Sequence, residues 1–227
     1  MKNHLKRIAA PPSWILARRQ HIFVVRPDAG SHKLQWGLPL GIILRDFLKV
    51  GATMAEIRKL LHLTEVLVDG VRQKNHRFMT GLFDVLTLSA LNSSYRLSLD
   101  RKGRLALVAI PIAESTRKIC KIIGKTKLKN GQTQLNLHDG KNILSEEKVQ
   151  VGDSIVLSLP QKQLQEVLAL RPGMAVFLIK GKHAGDIGKL KKIEEQEAIY
   201  SSAGKDVETA KDYLFVVGAK EALITLK

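Results

Sequence analysis

The sequence of 227 residues has one cysteine, few aromatic side chains and no long apolar run. A single thiol, Cys120, excludes an internal disulfide and a multi-cysteine zinc site, which fits a reducing compartment, and its apolar neighbours predict burial. The longest apolar stretch, residues 36–44, falls well short of the roughly 18 residues that a membrane-spanning helix needs. No apolar segment follows the basic N-terminus, so a secretion signal is not expected. Eleven aromatic side chains are few for a protein that binds single strands by stacking.

Positive charge is in excess. The 37 Lys and Arg residues outnumber the 21 Asp and Glu residues, for a net charge of +16, and such a chain attracts polyanions. The charge extends along the whole chain and is densest over residues 1–49, with nine basic and two acidic residues. This spread favours an extended polyanion over a compact anionic substrate, and the scarce aromatics favour phosphate and sugar contacts with folded RNA. An apolar content of 44% suffices for a core, in one or two domains or several very small ones.

The first 35 residues show no sustained hydrophobic period and are interrupted by prolines. Basic residues alternate there with apolar anchors such as Trp14 and Phe23. This segment cannot build its own core, so we expect it to become ordered against RNA or a neighbouring domain. The alternative is a floppy tail, against which the two aromatic anchors argue. The candidate RNA contacts in this segment are Lys2, Lys6, Arg7, Arg18, Arg19, Arg26, His32 and Lys33.

Two helices are predicted after Pro39, a residue that suits the first helical position. Arg45 and Lys49 are four residues apart and therefore share a face of the first helix, and Gly51 closes it. Thr53 and Glu56 have the spacing of a capping box that opens the second helix. The buried stripes are predicted to comprise Leu40, Ile43, Leu44, Phe47 and Leu48 in the first helix and Ile57, Leu60 and Leu61 in the second.

The pattern then changes to strands. Residues 66–68 read as a strand, Asp69-Gly70 as a tight turn and Val71 as the start of the return strand. Further strands are predicted at 83–88, 95–100 and 105–110.

These elements resemble the small RNA-binding module called the S-four domain. The resemblance rests on Leu44-Arg45-Asp46-x-Leu48, the capped helix, Val66-x-Val68-Asp69-Gly70 and Gly81-Leu82-x-Asp84-Val85. It implies that the two helices present a basic face to structured RNA and that Asp46 orients a basic neighbour. Ordinary solvated helix charges are the alternative. The candidate contacts in this module are Arg45, Lys49, Arg58, Lys59, Arg72 and Lys74.

Asn130-Gly131 is the strongest short hairpin signal in the chain. As a two-residue loop, it would place three lysines on one strand face, a second candidate RNA surface. An exposed edge hairpin that lysines protect from aggregation is the alternative. In this register Lys129, Lys127 and Lys125 lie opposite Gln132, Gln134 and Asn136, respectively.

Two turns follow the hairpin. His138-Asp139-Gly140 is expected to be a turn and not a catalytic pair, because no nucleophile lies in a recognisable context. Val151-Gly152-Asp153 is another turn, followed by a strand at 155–157.

Residues 171–195 read as a strand, a glycine-rich loop and a strand, and residues 213–218 as a final strand. The spacing does not fit a phosphate-binding Walker loop, and the helix that a dinucleotide fingerprint needs is not predicted here. The pattern resembles the KOW motif of ribosomal proteins and transcription elongation factors. That resemblance implies phosphate contacts at Lys180, Lys182, His183 and Lys189, whereas a plain hairpin in a small barrel is the alternative.

The order of these parts resembles the S-four-e family of archaeal and eukaryotic small-subunit ribosomal proteins over essentially the full chain. Matching stretches outside the two modules are residues 4–11, 26–27, 32–34, 38–40, 139–140 and 151–153. The resemblance implies an α+β, multi-module fold. Its parts are a basic N-terminal arm at 1–37, an S-four-type helix–helix–hairpin module at 38–104, a central β-barrel at 105–170 and a KOW-type SH3-like β domain at 171–227.

The resemblance also implies a non-catalytic rRNA-binding protein of the cytoplasmic ribosome. Its expected partners are small-subunit rRNA and neighbouring small-subunit proteins; no cofactor, metal, membrane or small-molecule substrate is expected. The chain ends soon after its final strand and lacks the longer basic extension of eukaryotic members, so the archaeal form is the better match.

Two other classes stay open. One is a transcription factor that binds polymerase through the KOW segment. The other is an RNA-modifying enzyme with an S-four appendage. The second would need a catalytic domain, and the sequence contains no His-x-Gly-His or Lys-Met-Ser-Lys-Ser-like segment.

Overall fold

The computed structural model describes residues 4–129, 131–202 and 204–226, and the contacts between them define two units. The first unit contains the residues up to Ser98 together with Arg104–Thr116, and the second contains Leu99–Gly103 together with the residues from Arg117 onward. Strands dominate both units. Among the described residues, no helix has the length and apolar character to cross a membrane.

The first unit combines two helical segments with short strands. The first helix is α1 (Leu40–Ile42), which continues as a π-helical turn over Ile43–Phe47, and the second is α2 (Met54–Leu63). Short 3-10 turns cover Arg7–Ala9, Leu34–Trp36, Ser89–Leu91 and Ile112–Thr116. The strands are β1 (Leu5–Lys6), β2 (Phe23–Val24), β3 (Gly37–Pro39), β4 (Val66–Val68), β5 (Val71–Arg72), β6 (Met79–Gly81), β7 (Val85–Leu88), β8 (Ser93–Leu99) and β9 (Leu105–Ile110).

The first helix differs from its prediction at both ends. Pro39 is the N-cap residue, with an extended ψ of 135°, so the helix begins one residue later at Leu40. The chain turns at Lys49, whose φ of 54° is left-handed, and thus before Gly51. The apolar stripe is confirmed at Leu40, Ile43 and Leu44, which are fully buried, whereas Phe47 and Leu48 are only half-buried.

The second helix begins at the predicted capping box. The backbone N–H of Glu56 donates to the Thr53 hydroxyl at 3.2 Å, and the N–H of Thr53 donates to the Glu56 carboxylate at 3.4 Å. Both bonds occupy N–H groups that the first turn of a helix leaves without a partner. The buried face of α2 includes Ile57 and Leu61, which are fully enclosed.

Three sheets form in the first unit. The largest has the strand order β5-β4-β7-β8-β9, and the two smaller ones pair β1 with β2 and β3 with β6. The predicted Asp69-Gly70 turn joins β4 to β5, and both of its residues have positive φ values, 52° and 75°. Such a turn matches the twist of an antiparallel pair.

The second unit consists of two five-stranded antiparallel sheets, in the orders β12-β11-β10-β13-β14 and β18-β17-β16-β15-β19. The core of the first sheet comprises Cys120, Ile122, Leu135, Leu137, Val149, Ile155 and Leu157. A 3-10 turn covers Lys211–Tyr213. The strands are β10 (Arg117–Lys127), β11 (Thr133–Leu137), β12 (Asn142–Ser145), β13 (Ser154–Ser158), β14 (Leu164–Leu168), β15 (Ala175–Leu178), β16 (Ile187–Glu194), β17 (Glu197–Ser202), β18 (Lys205–Ala210) and β19 (Leu214–Gly218).

The predicted register of the β10–β11 hairpin is wrong by one residue. Lys127 lies opposite Thr133, and Lys125 lies opposite Leu135. The N–H of Leu128 donates to the carbonyl of Gln132 at 2.9 Å, so the loop has three residues, 129–131, the last of them a glycine with a φ of 77°. A three-residue loop with a left-handed last residue is a common hairpin connection; its Asn130 lies outside the described residues.

In this register, the lysine and amide side chains that were predicted to share one face of the hairpin lie on different faces. Gln134 lies opposite Thr126 and Asn136 opposite Gly124. A one-residue change in pairing moves a side chain to the other face of a strand pair.

Candidate nucleic-acid interface

The N-terminal arm contacts the rest of the first unit, and of its two aromatic anchors Trp14 is buried whereas Phe23 is exposed. Trp14 is 2% exposed, and its indole N–H donates to the carbonyl of Leu34 at 3.1 Å. The N–H of Leu105 donates to the carbonyl of Ser13 at 2.8 Å, and β1 and β2 form a short hairpin within the arm. The expected ordering against neighbouring protein is therefore confirmed for the described residues of the arm.

Two arginines of the arm bond to its own backbone. The Arg18 guanidinium donates to four carbonyl groups, the nearest being those of Ala10 and Pro11 at 2.8 Å. Arg7 is buried and donates to the carbonyl of Ala17 at 2.7 Å. Both side chains were predicted as RNA contacts, and both hold the fold of the arm.

His32 is also an interior residue, which does not fit its prediction as an RNA contact. It is 8% exposed, and its Nε2 lies 3.0 Å from Oδ2 of Asp84. The same carboxylate oxygen accepts the backbone N–H of Gly81 at 2.7 Å. The imidazole packs directly on Gly81, where a Cβ would lie 2.1 Å from the ring.

Arg45 and Lys49 both line a depression of about 450 Å³ between the arm and the first helix, but Lys49 lies beyond the end of that helix and not on the shared helix face that was predicted. Asp46 holds Arg45 through two hydrogen bonds, of 2.7 Å and 3.0 Å, so the prediction that it orients a basic neighbour is confirmed. The hydrogen bond to Asp46 raises the pKa of Arg45 above its ordinary value. The lining comprises Arg7, Gln20, His21, Arg45, Asp46, Lys49, Gly51 and Ala52.

A second depression of about 370 Å³ shares Arg45 with the first. The Arg77 guanidinium there is fixed by the carbonyl of Arg26 at 2.9 Å and the carboxylate of Asp28 at 3.0 Å. The lining comprises Phe23, Val24, Val25, Arg26, Arg45, Met54, Arg58, His76 and Arg77.

The field in this second depression is positive. Burial lowers the pKa of His76, and the charges of Arg58 and Arg77 lower it further. We call the two depressions together the cationic groove. Its basic side chains are Arg7, Arg26, Arg45, Lys49, Arg58 and Arg77.

The remaining candidates of the first unit do not line the groove. Arg72 is exposed, and its guanidinium donates to the carbonyl of His62 at 3.2 Å. Lys2 lies outside the described residues. The other exposed candidates are Lys6, Arg19, Lys33, Lys59 and Lys74.

The lysines of the β10–β11 hairpin differ in their surroundings. The ammonium group of Lys125 contacts the carbonyl of Val149, next to the core of the sheet. Lys127 and Lys129 are exposed.

The glycine-rich loop between β15 and β16 presents the other candidates of the second unit. Lys180 lies 5.8 Å from the centre of the Tyr213 ring, and His183 lies 3.5 Å from the Asp186 carboxylate. Gly185, with a φ of 87°, packs so tightly that a Cβ would lie 2.1 Å from the carbonyl oxygen of Asp100. Lys182 and Lys189 are exposed.

The second unit contains a buried ion pair that could not be predicted from the sequence. Lys118 and Asp139 are both fully buried, with 2.9 Å between Nζ and Oδ2, and Nζ of Lys141 lies 3.2 Å from the same oxygen. Burial alone would raise the pKa of Asp139, but the two ammonium groups hold it well below its usual range. The His-Asp-Gly segment is a turn, as predicted.

Ligand atoms of Cys120, His138 and Asp139 lie within 4.8 Å of one another, close enough to consider a metal ion. The Asp139 carboxylate already accepts two ammonium groups, and Nδ1 of His138 accepts the N–H of Lys121 at 3.2 Å. Because these donors are committed to protein partners, the cluster fits a structural role and not a metal centre. Cys120 is fully buried, as expected.

Comparison with known proteins identifies relatives along nearly the whole sequence. The family model described as Ribosomal family S4e matches residues 91–164, and the RS4NT (NUC023) domain matches residues 1–35. Small ribosomal subunit protein eS4 of Methanocella arvoryzae is 38% identical over 222 residues, which cover 95% of this chain and 94% of that protein. The protein of the same name from Methanothermobacter thermautotrophicus is 40% identical, covering 99% of this chain and 96% of its own.

A solved structure has the same fold. The crystal structure of the 30S ribosomal protein S4e from Thermoplasma acidophilum superimposes with a TM-score of 0.71 at 27% identity. It covers 81% of this chain and 96% of the other. None of these relatives is a transcription factor or an RNA-modifying enzyme by name, so they do not support those two alternatives.

Proposed function

The chain belongs to the family of small ribosomal subunit protein eS4, and we propose that it binds rRNA as a non-catalytic structural component of the small ribosomal subunit. The observation that carries the proposal is the cationic groove. Arginines and a lysine from the arm, the first helix and its end, α2 and the 75–77 loop line two depressions there that share Arg45. Phosphate groups are the ligands that such a set of donors binds best.

The finer architecture belongs to the same proposal. Residues 38–104 form an S-four-type module, supported by the two helices that precede the β4–β5 hairpin. Residues 105–170 form the central β-barrel, and residues 171–227 form a KOW-type SH3-like domain. The glycine-rich connection between β15 and β16 supports the last assignment. The described residues of the basic arm at 1–37 pack on the module, and Arg7 and Arg26 of the arm line the groove.

The exposure of each candidate side chain separates direct contacts with RNA from indirect, structural roles. Within the groove, Lys49 and Arg58 are exposed, and Arg45 is held in a fixed orientation by Asp46, so these three side chains are among those that contact phosphate groups. Arg7, Arg18 and His32 act indirectly by holding the arm and its adjoining loop in place. The exposed lysines of the β10–β11 hairpin and of the β15–β16 loop reach other rRNA segments.

The location follows from membership of the subunit. We place the protein in the cytoplasmic ribosome, with small-subunit rRNA and neighbouring small-subunit proteins as partners. It needs no cofactor or small-molecule substrate there, because positioning RNA requires charge and shape only.

The salt dependence of binding tests this proposal. The full chain is titrated with small-subunit rRNA at several salt concentrations, as wild type and as Arg58→Gln. Each phosphate contact contributes roughly 0.7–0.9 to the slope of log K against log salt, so the variant should have a slope shallower by about that amount. Lys192→Gln is the matched control, because Lys192 is exposed, pairs with Glu194 and lies outside the groove. Wild-type affinity that stays flat from low to high salt contradicts the proposal.

A further inference from the structure

Phe23 places an aromatic ring inside the cationic groove. Within β2, Val24 is buried and Phe23 points outward, with 52% of its surface exposed. The ring of His4 lies edge to face with it, with 5.5 Å between the centres and an interplanar angle of 88°. Covering an exposed phenylalanine ring with a partner gains free energy, because apolar surface is then removed from water.

The walls of this part of the groove differ in chemistry. Val24, Val25 and Met54 line it with apolar surface, next to the Phe23 ring, whereas Arg58 and Arg77 line it with charge. The volume of about 370 Å³ falls within the roughly 300–1,000 Å³ of small-ligand sites. A phosphate alone would use the arginines and leave the apolar side uncovered.

One chemical class uses both walls. A nucleotide has a base with a flat apolar face and a phosphate that guanidinium groups bind, but a base-paired duplex hides its base faces. We infer that this part of the groove binds a single unpaired nucleotide of RNA, with its base against Phe23 and its phosphate at Arg58 and Arg77. The inference rests on the proposed function, because it names the feature of the RNA that the groove recognises.

An unpaired base is also the ligand whose placement against Phe23 requires the least free energy. Extruding a base from a duplex requires breaking its pairing and stacking, and this cost is smallest where the base is already unpaired. The protein therefore prefers a bulge to a continuous duplex carrying the same phosphates.

Two RNA hairpins that differ only by one bulged adenosine test the inference. The full chain binds each hairpin in a fluorescence anisotropy titration, at low and at moderate salt. One base stacked on an aromatic ring changes affinity by about 5-fold to 150-fold, so wild type should bind the bulged hairpin tighter by a factor in that range. Phe23→Ala should lose the preference, and Phe23→Tyr, which keeps a stacking face, should retain it. Ile8→Ala is the matched control, because Ile8 is an exposed apolar residue of the arm that does not line the groove.

The outcomes separate this inference from the proposed function. Salt-dependent binding of both hairpins with equal affinity overturns the unpaired-nucleotide site and leaves rRNA binding standing. A preference that survives in Phe23→Ala also overturns the site, because the Phe23 ring would then not be the group that recognises the unpaired base. Binding that is weak and independent of salt for both hairpins contradicts the proposed function itself.

Discussion

Replacing Asp139 by asparagine should destabilise the second unit strongly. The carboxylate and the Lys118 ammonium group are both fully buried, 2.9 Å apart, and Lys141 adds a second positive charge at 3.2 Å. Asp139→Asn keeps the shape of the side chain but removes its charge, so the Lys118 and Lys141 ammonium groups lose the charge of one buried carboxylate. Breaking a buried pair in this way costs about 3–5 kcal/mol. The amide oxygen can still accept a hydrogen bond from Lys118, which places the expected loss near 3 kcal/mol.

Urea unfolding of the full chain, followed by far-ultraviolet circular dichroism, measures this loss. The expected result is a lower midpoint with an unchanged slope for the transition that reports on the second unit. Lys118→Met with Asp139→Leu removes both charges together, and should recover most of the lost stability. If the free energy of unfolding of Asp139→Asn lies within 0.5 kcal/mol of the wild-type value, the ion pair does not stabilise the second unit and the reasoning is refuted.

The same pair predicts an acid dependence. Because the pKa of Asp139 is lowered in the folded protein, its contribution to stability is complete above its unfolded pKa, which is about 3.9. It is lost as the pH falls further, towards the folded pKa. The difference in unfolding free energy between wild type and Asp139→Asn should therefore shrink below pH 4, and a constant difference down to pH 2 would contradict this sign.

Three further changes test other parts of the structure. Gly81→Ala should lower stability by about 2 kcal/mol or more, because its Cβ would lie 2.1 Å from the His32 ring, and an unchanged melting temperature would show that the ring moves freely. Burial lowers the pKa of Lys121 to about 8, so the stability of wild type should rise between pH 8 and its ordinary pKa of 10.5, since the unfolded chain binds more protons there. Lys121→Met should abolish that rise in urea titrations at pH 7.5 and 10, and a rise of equal size in the variant would exclude Lys121 as its source. Thr53→Ala should cost about 0.5–2 kcal/mol and speed amide exchange in the first turn of α2, whereas equal exchange would mean that the cap contributes nothing.

The helices could be predicted because their signals are local. The buried stripe of α1 repeats at helical spacing, and the cap of α2 uses two residues three apart, Thr53 and Glu56. The register of the β10–β11 hairpin could not be predicted in the same way. It depends on a three-residue loop and on a bulge next to Ile123, which interrupts the pairing between Ile122 and Gly124.

The groove could be predicted only in part. Arg45 and Lys49 were predicted together from their spacing of four residues, and both line the groove, but the helix ends before Lys49, so helical spacing is not the reason that they meet. Arg77 joins them through contacts with the arm, to the Arg26 carbonyl and the Asp28 carboxylate, which are about 50 residues away along the chain and leave no periodic signal.

Basic charge by itself also does not separate binding from structural residues. Arg7, Arg18 and His32 look like ligands for RNA in the sequence. In the fold, the two arginines bond to backbone carbonyls and His32 bonds to a buried carboxylate. The direction in which a side chain points, and not its charge, decides between these roles.

The most direct test of a structural role in the small ribosomal subunit is a density gradient of a lysate from cells that express this chain, run at low magnesium so that the subunits separate. If the protein is a structural component, nearly all of it should sediment with the small subunit, at one copy per small-subunit rRNA. Protein that remains at the top of the gradient, or that sediments with RNA polymerase, would contradict the proposed role.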